Sequence, residues 1–179
     1  ILFIILFPIF DIIASNFFLK IDDAACHKIE RYYYELKKNC IGNYKFKPSF
    51  PTVKVYTDEQ SLRTAKKRKY KDTNNNALIF GDSMTFGVGL KYENTVVGIL
   101  DNEISNYNFY NFAIGSYSPT VHLYKLKQAI KKNILPKKII LLLDISDIFD
   151  EGARWYIDDS NKPKLRSDFK YQTHIKEKK

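Results

Sequence analysis

Apolar and polar positions fall along this chain in blocks whose period switches between that of a strand and that of a helix. Ala77–Phe80 is an unbroken apolar run between Asn74-Asn75-Asn76 and Gly81-Asp82-Ser83. A short apolar run bounded by turn residues predicts a buried strand. Over Glu93–Ile104, Val96, Val97, Ile99, Leu100 and Ile104 gather on one broad face and predict a helix. Gly98 weakens that helix by about 1 kcal/mol relative to alanine. Tyr107–Ala113 reads as a second strand running toward Gly115, and Ser118-Pro119 supplies an N-cap followed by proline at the first helical position. Leu123, Leu126, Ile130 and Ile134 then recur at helical spacing until Pro136 stops the helix. Lys138–Leu143 is a continuous Ile/Leu run, which predicts a strand covered on both faces. Strand, helix, strand, helix, strand predicts an α/β fold: a parallel sheet with right-handed crossovers and helices on both sides.

Upstream the pattern is weaker. Ala24–Lys38, with His27, Tyr32 to Tyr34 and Leu36, reads as a short helix. The alternation in Thr52–Thr57, preceded by Pro48 and Pro51, predicts an extended segment or hairpin edge. Residues 1–19 are mostly Ile, Leu and Phe, interrupted by Asp11, Ser15 and Asn16. About 20 apolar residues suffice to span a bilayer, and the cost of one Asp is offset by so many large apolar neighbours. A membrane anchor, an uncleaved signal sequence and a buried core helix compete; the lack of a clean small-residue cleavage site favours the anchor. The expected organisation is an anchor helix over 1–19, a polar lead-in over 20–76 and an α/β domain from 77 to 179.

With 179 residues the length suits one domain. Lysine and arginine total 29 against 20 acidic residues, a net charge of +9. The basic residues are dispersed in small knots such as Lys66-Lys67-Arg68-Lys69, and no nucleic-acid-binding module accompanies them, so no nucleic acid partner is expected. Cys26 and Cys40 are too few for a disulfide framework, and spacing leaves open whether they pair. His27 beside Cys26 lacks the further ligands of a metal site. Gly87-Val-Gly89 lacks the Gly-Lys-Ser/Thr ending of a phosphate-binding loop and the third glycine of a dinucleotide fingerprint. No cofactor or metal is expected.

Candidate chemistry centres on Ser83. It lands at the carboxyl end of the first strand of the α/β part, where open α/β sheets place their ligand crevices. Asp82 and Ser83 also suit a helix N-cap. The segment Gly81-Asp82-Ser83-Met84-Thr85-Phe86-Gly87-Val88-Gly89 resembles the first sequence block of the SGNH/GDSL hydrolases, and the resemblance extends over roughly Ala77–Glu151. It implies a flavodoxin-like, three-layer parallel sheet, here incomplete and preceded by the hydrophobic helix. Tyr56-Thr57-Asp58 through Leu62-Arg63 is similar to the lead-in of membrane-anchored members, which often carry Gly where Ser61 or Leu62 falls.

The resemblance implies that Ser83 is a nucleophile, and that its amide and that of Gly115, in Asn111-Phe112-Ala113-Ile114-Gly115, are oxyanion donors. At the third donor position the family's Gly-x-Asn-Asp is replaced by Asp144-Ile145-Ser146-Asp147, so Ser146 stands where the Asn is expected. A serine hydroxyl donates one bond and reaches less far than a carboxamide. Either it substitutes imperfectly or this branch performs different chemistry. Asp144, Asp147, Asp150 and Glu151 crowd this edge, as loop caps and solvated charges in the plainest reading. The family's Asp-x-x-His is missing: His122 falls early in the second helix, and His174 has Tyr171 three residues before it. Family domains run to about 200 residues, an ordinary domain size, whereas roughly 100 follow Asn76; the chain therefore reads as the N-terminal part of a longer domain, with its base elsewhere. The implied function is a membrane-anchored serine esterase acting on acyl esters of lipids or cell-envelope glycans from the extracytoplasmic side. An O-acyltransferase, or a non-catalytic envelope or scaffold protein of the same fold, are the alternatives.

Overall fold

The structure, a computed structural model, describes residues 26–29, 33–45 and 50–166. The stretch 1–19, on which the anchor expectation falls, lies outside the described residues, as does His174. Among the described residues no helix is long and apolar enough to cross a membrane.

An antiparallel hairpin of His27–Ile29 (β1) and Tyr34–Leu36 (β2) comes first. It replaces the helix expected over Ala24–Lys38. Consecutive tyrosines favour the pleated backbone, and Tyr34 and Leu36 point inward on either side of the half-buried Glu35. A disulfide joins Cys26 to Cys40 across a sequence separation of 14. Ile41–Tyr44 (β3), Val53–Thr57 (β4) and Arg63–Thr64 (β5) follow. In β4 the period of two is plain: Val53, Val55 and Thr57 are buried, and Lys54 is exposed.

Asn76–Phe80 (β6) leads into the single-turn helix Ser83–Phe86 (α1). A 3-10 turn at Tyr92–Asn94 precedes Val96–Glu103 (α2). The helix starts later than Glu93 because Thr95 takes the N-cap, its hydroxyl accepting the Gly98 amide at 3.0 Å. Asn108–Asn111 (β7), Pro119–Lys131 (α3), Lys138–Leu141 (β8) and Ile145–Ala153 (α4) complete the alternation, and the hairpin Trp155–Ile157 (β9) with Pro163–Leu165 (β10) ends it.

Six strands form one sheet in the order β3-β4-β5-β7-β6-β8. The three strands anticipated from apolar runs are parallel, with Ala77 opposite both Phe109 and Lys138. The sheet as a whole is mixed, because the lead-in adds three antiparallel strands through the pairing of Arg63 with Asn111. Leu78 and Phe80 pack with Ala129 and Ile134 at and beyond the end of α3, while Ala77 and Ile79 pack with Val97 of α2. Alternate side chains of β6 thus feed two separate layers. Lys71 secures one of them: its ammonium donates to the carbonyls of Asp101 and Ile104 at the carboxyl end of α2 and to that of Tyr107 just before β7.

The strand at Lys138–Leu143 differs from expectation. It is four residues long and pairs, among the described residues, with β6 alone, so it forms an edge. Ile139 and Leu141 are 52% and 44% exposed, where cover on both faces was expected. A continuous apolar run reports a tendency to be buried, but the neighbours that would bury it have to come from elsewhere in space.

The Cys26–Cys40 bridge closes a short loop that anchors β1 to the start of β3. Reduction, or Cys40→Ser, is expected to lower stability by about 3 kcal/mol in urea unfolding. An unfolding midpoint that does not move with reductant would refute this.

Candidate functional site

Three loops converge at the carboxyl ends of the parallel strands. The first follows β6. Its tight start has a steric cause: a Cβ on Gly81 would lie 2.2 Å from the Thr85 hydroxyl, so only glycine lets α1 fold back this closely. Asp82 caps α1, its carboxylate accepting the Met84 amide at 2.8 Å. Ser83 is the first residue of the turn, half-buried, and its hydroxyl donates to the other Asp82 oxygen at 3.1 Å. Asp82 thus takes the N-cap that the sequence offered, and Ser83 follows it at the carboxyl end of β6. Gly87 closes α1 in the left-handed region, at φ +82°.

The second loop follows β7. A Cβ on Gly115 would stand 3.6 Å from the Ser83 Cβ, so the two candidate residues are neighbours. The loop is fixed from outside: the Tyr34 hydroxyl donates to the Gly115 carbonyl at 2.6 Å, and the Trp155 indole donates to the Ser116 carbonyl at 2.7 Å. The Tyr117 hydroxyl returns to the Tyr34 carbonyl at 2.6 Å. Tyr34, Tyr117 and Trp155 stack edgewise and tilted around this loop within one apolar cluster.

The third loop follows β8 and caps α4. Asp144 and Asp147 form a reciprocal capping box, with the Asp144 amide donating to the Asp147 Oδ2 at 3.0 Å. Ser146 is exposed, and its amide and hydroxyl both donate to Asp144 Oδ1, at 2.6 and 2.5 Å. Its one hydroxyl proton is thereby committed to Asp144. That contact holds the Asp144 carboxyl below its ordinary value.

The plainest sequence reading had these acids as loop caps and solvated charges; Asp144 and Asp147 are caps, but not all of the acids are solvated. Asp147 is 1% exposed and Asp150 5%. Burial pushes both carboxyls up; around Asp147 the acids Asp82, Asp144 and Asp150 reinforce the effect, while the Arg154 guanidinium 3.0 Å from Asp150 opposes it there. Glu151 accepts the Thr120 amide at 2.9 Å and the Thr120 hydroxyl at 2.5 Å, tying α4 to the start of α3; although burial opposes it, these bonds hold its carboxyl below the usual value. Asp82, Asp144 and Asp147 each bring one carboxylate oxygen within 4.8 Å of the others.

His122 is 4% exposed on α3, packed against the rings of Phe80 and Tyr117. Neither ring nitrogen has a hydrogen-bond partner among the described residues. It is a core residue rather than a base set against Ser83. His27 lies with its ring 6.1 Å from that of Phe86.

Across residues 1–175 the chain matches the family model described as Protein of unknown function (DUF1574). The chain belongs to the DUF1574 family. No curated protein matches it. In this DUF1574 chain the three loops come together from separate parts of the sequence, and two of their supports were missed by sequence reasoning. One is Tyr34, placed in a helix there. The other is Arg63, noted only as part of the lead-in. Arg63 is 1% exposed, and its guanidinium donates to the carbonyls of Phe86, Gly87 and Leu90, bracing the loop behind Ser83. It also stacks 4.6 Å over the Phe86 ring. Burial lowers its pKa to about 10, which still leaves it charged at neutral pH. Nothing in the local sequence marks an arginine as buried.

Arg63→Met is expected to orphan three carbonyls and to cost roughly 3 kcal/mol or more, read as a shifted denaturant midpoint; an unchanged midpoint would refute the brace. His122 gives a second expectation. Burial lowers its pKa from 6.5 to about 4. Between those values the unfolded chain binds the proton and the folded chain does not, so this contribution is full above pH 6.5 and is lost as pH falls toward 4. The loss amounts to roughly 3 kcal/mol at one histidine. His122→Leu should flatten this part of the stability–pH curve, and an unaltered slope would show that His122 is not its source.

Proposed function

We propose that this DUF1574 protein is an SGNH-like serine esterase with Ser83 as nucleophile, acting on acyl esters of lipids or cell-envelope glycans, with its base outside the described residues. The observation that carries the proposal is the placement of Ser83 on a one-turn helix at the carboxyl end of β6, with Gly115 against it. In that position the backbone amides of Ser83 and Gly115 are the oxyanion donors of the reading, which transition-state charge requires. Two further features support it. The parallel strands lie second-first-third, β7-β6-β8, which is how a flavodoxin-like sheet begins. Of Ser61 and Leu62, at one of which membrane-anchored SGNH relatives often carry glycine, Ser61 has φ +67°, a conformation that favours glycine.

Catalysis on this reading begins with loss of the Ser83 proton to an imidazole, because a hydroxyl is a weak nucleophile until a base takes its proton. The Ser83 oxygen then attacks the ester carbonyl, and the alcohol leaves from the tetrahedral intermediate. Water as acceptor gives an esterase, and a sugar hydroxyl gives an O-acyltransferase. The anchor proposed for residues 1–19 would hold the domain at a membrane surface on the extracytoplasmic side.

A second reading, a non-catalytic scaffold of the same fold, is favoured by one observation: the Ser146 hydroxyl is engaged by Asp144 rather than free to serve an oxyanion. A fluorophosphonate probe on the intact protein separates the two. The esterase requires covalent modification of Ser83 that is lost in Ser83→Ala. An unmodified Ser83, under conditions that label a control hydrolase, would decide for the scaffold.

A further inference from the structure

We infer that Asp82, Asp144 and Asp147 form a binding site for a hard divalent cation. The three residues come from two adjacent parallel strands, Asp82 after β6 and the other two after β8. One oxygen from each lies within 4.8 Å of the other two. Oxygens this close together can share one ion of the Ca2+ or Mg2+ class. Carboxylate oxygens without nitrogen or sulfur neighbours suit this hard class of ion.

Proximity of acids alone would not identify a site; the state of Asp147 does. It is 1% exposed, and the Asp144 amide holds its Oδ2, which fixes how the carboxylate sits. Its Oδ1 is buried with no hydrogen-bond partner among the described residues. A buried carboxylate oxygen left without a donor is costly, and native structures rarely tolerate one. The acids Asp82 and Asp144, which share this site, bring no donor to that oxygen. The nearby guanidinium of Arg154 is paired with Asp150. A cation on Oδ1 would give that oxygen its missing partner.

Coordination is open on one side. Asp144 is exposed, so an ion enters from solvent and keeps water ligands there. Asp82 accepts single bonds from the Met84 amide and the Ser83 hydroxyl, and each oxygen retains a second lone pair for the metal. The bound ion would tie the N-cap of α1 to that of α4, next to Ser83. The site does not depend on the esterase reading, since it is assayed without a substrate.

The test is calorimetric titration of the full-length, chelator-stripped protein with Ca2+, then Mg2+ and Mn2+, alongside thermal melts. Expected are one saturable site for at least one of these ions, with a dissociation constant of about 10⁻⁵ to 10⁻³ M, and a melting temperature that rises with that ion. Asp144→Asn and Asp147→Asn should each weaken binding by about tenfold or more. Asp159→Asn, an exposed acid elsewhere, should leave it unchanged. Should Asp147→Asn fail to fold, the exposed Asp144→Asn decides alone. No saturable binding of any of the three ions by the folded protein, or undiminished binding in Asp144→Asn, would overturn the inference.

Discussion

The buried guanidinium of Arg63 joins the two halves of this molecule. Its backbone, on β5, makes the antiparallel pairing that attaches the lead-in strands to the parallel ones. Its side chain carries a full charge into the interior and distributes it over three carbonyls behind α1. A buried charge needs such acceptors to persist. Sheet continuity and the position of the Ser83 loop therefore rest on one residue. Displacing it would loosen both.

Around that joint the site is built by tertiary convergence. β6 and β8 run parallel, so their following loops emerge at the same edge and put Asp82 beside Asp144 and Asp147. The loop after β7 reaches Ser83 only because Tyr34, Tyr117 and Trp155, drawn from three distant segments, clamp it. The disulfide helps here too, since Cys26 and Cys40 bracket the hairpin that carries Tyr34. The rigid support lies away from the crevice and leaves Ser83 and Asp144 in contact with solvent.

Charge is distributed unevenly at this edge. The chain is basic overall, yet the crevice collects four aspartates, of which one, Asp150, has a guanidinium partner. The positive net charge says nothing of a local field of the opposite sign. The proposed cation site and the proposed nucleophile are separate readings of adjoining residues. Asp82 touches both.

What the sequence determined was the alternation of elements and its parallel core. Ala77–Phe80, Tyr107–Ala113 and the Ser118-Pro119 start all correspond to observed elements, because an apolar run, an amphipathic period and a capping residue are local properties that survive in any context. The position of Ser83 at a strand end, and of Gly115 after the next strand, was legible for the same reason. Tertiary structure decided the rest. Ala24–Lys38 became a hairpin because three-residue strands are too short to show a period, and the bridge and Tyr34's distant partners select them. Lys138–Leu141 became an edge because burial depends on what lies alongside, which a strand's own residues do not encode. Arg63 and Asp147 look like any surface charge in the sequence, and their burial exists only once the sheet brings distant loops against them.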